Sequence, residues 1–282
     1  MKNKGNIYDI VTEMILEQID NGVAPWIKPW NFHTPKNLKS NKEYRGINNT
    51  ILSMCAGDSG IFATYKQVQE EGGQVEKGAK SIPVVFHMFD DKEDGTRKYK
   101  GARYYRVFRV ENTTMDMSKI FDAEDFQPLP EDQRNQKIEE DLGEMVKGLE
   151  LKLTFDENSA FYQPGKHRLN MPKFKNFKVI DGYYATFFHE LVHSTSKDLN
   201  RDMKGHFGSK DYSFEELVAE LGSAYLCNIY EVSNETLAQS ASYIKGWSSK
   251  FKEDKKMIFK ASSLAQLAVD HLISKVSAPV PF

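Results

Sequence analysis

The sequence predicts an α+β protein in two parts, an N-terminal α/β domain over residues 1–115 and a C-terminal domain over 136–282, joined by an acidic linker at 116–135. Three observations carry this. Helical periodicity opens the chain, with Ile7, Ile10, Val11, Met14 and Ile19 on one face. Two Val-, Phe- and Tyr-rich stretches, 81–89 and 98–110, flank an Asp- and Gly-containing turn and read as a long hairpin. In the second half, apolar helices carry a His-Glu-x-x-His spacing and then a pair of glutamates four apart.

The chain has 282 residues, 40% of them hydrophobic, enough for two cores. It shows no run near the ~20 apolar residues of a membrane span and no apolar signal region after MKNKGNIYDIV, so no membrane partner and a cytoplasmic location are expected. Cys55 and Cys227 stand alone, which fits a reducing compartment and excludes a cysteine-built metal site. Charge is uneven: residues 1–110 hold 17 Lys and Arg against 13 Asp and Glu, a balance of +4, and the remainder 21 against 27, a balance of −6. The excess of positive charge in the first half is modest, and an ordinary solvated surface accounts for it equally well.

The opening helix ends at Asn21-Gly22. Next, Pro25-Trp26-Ile27-Lys28-Pro29-Trp30 cannot be regular helix and sets two tryptophans in an extended segment. Lys28, Lys36, Lys39, Lys42 and Arg45, with Tyr44 among them, surround these rings, so phosphate contacts and base stacking can share one groove. The same composition also describes a small core with solvated lysines. A helix is expected over Asn49–Ala56 and another starting at Phe62. Gly72 to Lys80 is a glycine-punctuated loop matching neither a Walker loop nor a dinucleotide fingerprint. The second hairpin strand carries Arg103, Arg106 and Arg109 among Tyr104, Tyr105 and Phe108.

After the Pro128- and Pro130-containing linker, Ile138, Leu142, Val146 and Leu149 mark a helix, and short strands are expected near 151–155 and over 161–172. Tyr183 to Ser196, YYATFFHELVHSTS, then sets His189 and His193 one turn apart on an apolar helix with Glu190 between them. Two such histidines can be a simple core pair, but a carboxylate on a buried helix is costly without a partner, and the spacing is that of a zinc protease. One Zn2+ per chain is therefore expected, and it needs a third protein ligand. The longer H-E-x-x-H-x-x-G-x-x-H pattern fails, because position 196 is Ser and 199 is Leu. Downstream, Ser213 to Leu226 forms an apolar helix with Glu216 and Glu220 one turn apart and small residues Ala219, Gly222 and Ser223 for close packing. Ser213 with Glu216 also fits a capping box, which leaves Glu220 unexplained. Glu216 is favoured as the third ligand, with Glu220 holding a ligand histidine or taking the ligand position itself, a gluzincin-type arrangement. His206 is a weaker alternative, and Tyr212 or His206 could donate to an oxyanion. Leu237–Lys250 and Ile258–Ile273 close the chain as helices, with Trp247 in the core. On this reading a zinc-activated water attacks a peptide carbonyl and Glu190 is the general base.

The ordered series PWxKPW, YRGIN, TYKQ and GxxVxKGxK, followed by the 98–110 strand, resembles the N-terminal single-stranded-DNA-binding domain of the ArdC antirestriction family, and is similar to a region of plasmid primases. Residues 155–275, with HELVH and FGSKDYSFEELVAELGSAYL, resemble that family's zincin-like metallopeptidase domain. One departure is Ser194-Thr195-Ser196, where the family often has Trp-Thr-Gly. The resemblance implies single-stranded DNA as a partner, with Trp26, Lys28, Trp30, Lys42, Tyr44, Arg45, Lys66, Lys77 and Lys80 as contacts, and a protein or peptide substrate. It also implies a plasmid or phage setting. In the alternative the protein protects incoming DNA and its zinc site is structural or catalytically silent.

Overall fold

The structure is a computed structural model that describes residues 6–20, 24, 26, 34–56, 59–91, 96–116, 118, 129–201, 210–233 and 241–277; for 89, 91, 97, 210–212 and 241–245 only the backbone is described. Helix α1 (Ile7–Asp20) buries Ile7, Val11, Ile15 and Ile19, an i, i+4 stripe that needs an apolar partner. That partner is α7 (Ala241–Glu253), near the other end of the chain. Just beyond α7, the Thr12 hydroxyl donates to the Lys255 carbonyl at 3.1 Å and Asp9 pairs with Lys255 at 2.6 Å.

The first sheet has the order β1-β2-β4-β3, where β1 is Lys36–Asn37, β2 Ile61–Thr64, β3 Ile82–Asp91 and β4 Arg97–Arg109. The β3–β4 hairpin runs in antiparallel register from Ile82↔Val107 to Asp91↔Arg97. A helix expected from Phe62 is a correction: Ile61–Thr64 is a strand, and helix α3 (Tyr65–Glu70) starts only after it. Thr64 ends the strand and caps the helix, its hydroxyl accepting the Gln67 N–H at 3.2 Å while Gln67 Oε1 accepts the Thr64 N–H at 2.8 Å. The Gly-rich loop is tied to 112–114: the Glu76 N–H donates to the Asn112 carbonyl at 3.0 Å and the Thr114 N–H to the Gln74 carbonyl at 2.8 Å. Gly78, at φ 92°, makes a turn there that side chains resist.

Helix α4 (Glu131–Gly148) starts inside the stretch expected to be linker; of residues 117–128, only 118 is described. A three-stranded sheet, β5-β7-β6, follows, with β5 Lys152–Thr154, β6 Phe161–Gln163 and β7 Arg168–Asn170. Then come α5 (Ile180–Ser194), α6 (Lys210–Ile229), α7 and α8 (Met257–Ile273). Helices α5 and α6 touch closely because Gly222 offers no side chain: a Cβ there would lie 2.8 Å from Val192 Cγ2. The Ser223 hydroxyl also donates to the Ala185 carbonyl at 2.9 Å. This contact sets where α6 carries its glutamates relative to the α5 histidines.

The two halves share one core, which runs from Ile15 and Ile51 through Phe188 and Leu221 to Ala268. Its seam is the start of α2 (Ile47–Cys55). The Gly46 N–H donates to Gln266 Oε1, its carbonyl accepts the Tyr225 hydroxyl, both at 2.9 Å, and the hydroxyls of Thr50 and Tyr225 lie 2.6 Å apart. Residues 1–115 in isolation would expose the apolar faces of α1 and α2, so binding is properly measured on the full chain. No described helix is long and apolar enough to cross a membrane.

Candidate metal centre

Helix α5 presents His189 and His193 toward Glu216 of α6. The two Nε2 atoms are 3.1 Å apart; Glu216 Oε2 is 3.6 Å from His189 Nε2, and Oε1 is 3.3 Å from His193 Nε2. Ligands on one tetrahedral ion at about 2.0–2.2 Å are separated by about 3.3–3.6 Å; the carboxylate contacts fall in that range and the two imidazoles are slightly closer, so a small adjustment lets the three donors share a metal. Among the described residues, this is the sole group of His, Cys, Asp and Glu atoms so placed. Glu220 stands off this triangle, with Oε1 3.9 Å from His189 Nδ1 on the far side of the ring. That Nδ1 is buried and makes no hydrogen bond among the described residues. Glu190, between the histidines in sequence, is also buried, with 9% exposure.

The chemistry of the cluster is that of a cation site. Burial disfavours a charged His193, but hydrogen bonding to Glu215 and Glu216 outweighs it and lifts the imidazole to about 10. Burial likewise opposes a charged His189, yet its Glu216 contact leaves that group raised. Glu216 is pulled the other way: desolvation would raise its carboxyl, and hydrogen bonds from His189 and His193 hold it well below the usual carboxylate range. The pocket favours positive charge, which a divalent ion supplies in place of the imidazole protons.

Glu215 and Arg201 complete the site and were not singled out from the sequence. Glu215 Oε1 is 3.4 Å from His193 Nδ1, the ring nitrogen pointing away from the other donors. Arg201 grips Glu215 with a fork, Nη2 to Oε1 at 2.8 Å and Nε to Oε2 at 3.1 Å. The same guanidinium donates to the Val192 carbonyl at 2.7 Å and the Thr195 hydroxyl at 2.8 Å, closing the C-terminal end of α5. Asn200, at φ 51°, makes the turn that brings Arg201 back onto the helix. Glu215 and Arg201 are 5% and 4% exposed at their side chains, so removing one strands the other's charge. Arg201→Met is accordingly expected to destabilise the fold by about 3–5 kcal/mol. It should also weaken metal binding roughly 10- to 100-fold through the loosened His193 ring. Thermal melts and metal titration read the two effects; a melt unchanged from that of the native chain rules the role out.

The capping-box expectation for Ser213 and Glu216 is corrected: α6 begins at Lys210, ahead of Ser213, whose carbonyl accepts the Trp247 indole N–H at 2.9 Å. His206 and the Tyr212 side chain lie outside the described residues. Of the expected DNA contacts, Trp26 is a core residue, 5% exposed and edge-to-face with Trp247 at 5.5 Å, so its face is not available to a base. Tyr44 is buried against Phe62, with its hydroxyl accepting from Asn37. Arg45 forms an ion pair with Asp270 of α8. Lys42, Lys66, Lys77 and Lys80 are exposed on the first half, and Lys28 and Trp30 are outside the described residues.

Comparison with known proteins finds matches to both halves of the chain. Residues 5–113 match the N-terminal domain of anti-restriction factor ArdC, and 140–264 a zincin-like metallopeptidase family. The protein y4eC of Sinorhizobium fredii is 31% identical, with 96% of this chain and 93% of that protein aligned. DNA primase TraC of Escherichia coli is 28% identical over 97% of this chain, which spans only 20% of that longer protein. The antirestriction ArdC protein of plasmid R388 superposes in its metal-free form with a TM-score of 0.76, at 31% identity over 96% of this chain and 98% of its own. Its Mn(II)-bound form gives 0.77, at 30% identity over 97% of this chain and 99% of its own. A zincin-like second half implies a metal, and the donor triangle fits one. Matched in both halves, and over nearly the full length of y4eC and of the R388 ArdC protein, the chain belongs to the ArdC antirestriction family.

Proposed function

We propose that this protein is a zinc-dependent peptidase that works on single-stranded DNA in an antirestriction setting. The observation that carries the peptidase reading is the triangle of His189, His193 and Glu216 with buried Glu190 beside it. Two imidazoles and one carboxylate are a donor set suited to catalytic zinc; a relative crystallised with Mn(II), and imidazole and carboxylate accept that ion too. An ion held by His189, His193 and Glu216 would supply polarisation of a peptide carbonyl and a more acidic water. Glu190 takes the proton of the attacking water at its carboxylate and delivers it to the leaving amine. Glu215 holds the His193 ring through its outer nitrogen, and Glu220 stands 3.9 Å behind the outer nitrogen of His189. Strand β6 is an edge of its sheet and packs near α5, so an extended peptide can add to it beside the site.

The DNA reading rests on the match of residues 5–113 and on the exposed lysines there, with exposed Phe86, Tyr99 and Tyr105 on the hairpin. If Lys42, Lys66, Lys77 and Lys80 each neutralise one phosphate, affinity falls about 50-fold between 50 and 200 mM salt, from a slope of about −0.7 per contact. Fluorescence anisotropy of the full chain with a labelled single strand measures this. The double variant Lys77→Ala/Lys80→Ala is expected to flatten the slope by about 1.4. Binding indifferent to salt, or absent, overturns the reading.

A further inference from the structure

A cavity of about 320 Å3 opens beside the four-stranded sheet, away from the metal centre. The side chains of Asn37 and Gln67 meet there and exchange two hydrogen bonds, each 3.2 Å. Neither amide is free to turn: Gln67 Oε1 is held by the Thr64 N–H, and Asn37 Oδ1 by the Ser40 N–H at 3.1 Å. Two tyrosines line the same cavity, Tyr44 buried and Tyr105 with 37% of its surface exposed. The two charged groups lining it, Lys42 and Glu43, cancel. A phosphate would meet the Glu43 carboxylate and a single ammonium, a poor anion site. Asn37 spends both amide hydrogens on Gln67 and Tyr44, so the exposed face of Tyr105 and the second N–H of Gln67 Nε2 are what the cavity offers, and these suit instead an uncharged, planar ring that carries an acceptor.

The surface beside the cavity continues the same chemistry. Phe86, 42% exposed, has its ring centroid 6.2 Å from that of Tyr105. Exposed Arg103 lies across the hairpin from Phe86 in the β3–β4 register. Stacking faces and a cation thus lead to the cavity mouth, where Lys42 stands.

We propose that this cavity receives one nucleobase of a single-stranded nucleic acid, turned out of the strand against the exposed face of Tyr105 and met by the second N–H of Gln67 Nε2. The inference rests on the single-strand reading above and adds a defined place where one base is held.

The experiment uses the full chain and three 12-mers of equal charge: one with every base, one fully abasic, and one abasic except for a single central base. The single-base strand is expected to bind about tenfold more tightly than the abasic one. That gain should disappear in Tyr105→Ala, which removes a wall, and in Ser40→Trp, which fills the cavity; Ser40→Trp should leave affinity for the abasic strand within about twofold. Two substitutions of opposite size keep the result readable if one disturbs the fold. If the complete strand binds tightly but one base restores nothing, or if both variants keep the gain, the pocket is refuted and single-strand binding survives. If no strand binds, the single-strand reading itself fails. Saturable binding of free nucleosides, with no gain from a strand, also overturns the proposal.

Discussion

Glu190→Gln is expected to lower turnover of an unfolded protein substrate such as casein by about 10²- to 10⁴-fold, with bound metal still at one ion per chain. The two halves of that expectation come from different contacts. Metal retention follows because Glu190 is outside the donor triangle, and glutamine has nearly the same shape in a site where the native side chain is 9% exposed. Loss of turnover follows because an amide cannot accept and return a proton, whereas the three donors it leaves in place can still hold an ion. The combination separates the two uses of such a site. A metal that only braces α5 against α6 has no need of a base, and the variant would then match the native chain in every assay. Full turnover in Glu190→Gln refutes the assignment of the base; loss of turnover with intact protection of incoming DNA shows that protection does not depend on hydrolysis.

What could be read from the sequence was set by how local each feature is. The α5 histidines were legible because four residues make one helical turn, and that relation holds whatever the helix packs against. Glu216 was legible at one remove: an apolar helix with Ala219, Gly222 and Ser223 predicts close approach, and the 2.8 Å separation that a Cβ on Gly222 would have from Val192 is that approach. Glu215 and Arg201 were hidden because their pairing depends on a left-handed turn at Asn200, and no spacing rule links the two residues. A buried charge on the second helix was the available signal, since Glu215 adjoins Glu216 on a largely apolar segment and a carboxylate there demands a cation. Trp26 misled for a related reason. A tryptophan between prolines among lysines looks like a stacking platform, but its partner is Trp247 in the other half, and composition cannot distinguish a base from a distant ring. The helix start expected at Phe62 falls three residues early, although Thr64 and Gln67 spell the capping box that places it one residue after Thr64.

The choice between Glu216 and Glu220 yields the second large effect. Glu216→Ala leaves two imidazole donors and is expected to weaken metal binding roughly 300-fold, taking about 10 kcal/mol for a complete protein site divided over its three ligands. Glu220→Ala is expected to cost only about tenfold, the lower end for a residue that steadies a ligand from behind. The asymmetry follows from the geometry: both Glu216 oxygens face the inner nitrogens at 3.3 and 3.6 Å, while Glu220 approaches the outer nitrogen of His189 at 3.9 Å. For Glu220 to become a ligand, His189 would have to turn its ring over, and His193 would then lack a carboxylate on the same ion. Competition titration with a chromophoric chelator gives both affinities on one scale. Equal losses in the two variants would mean that the carboxylates share the ion. A larger loss in Glu220→Ala would reverse the assignment, and with it the reason α6 must lie as close to α5 as Gly222 allows.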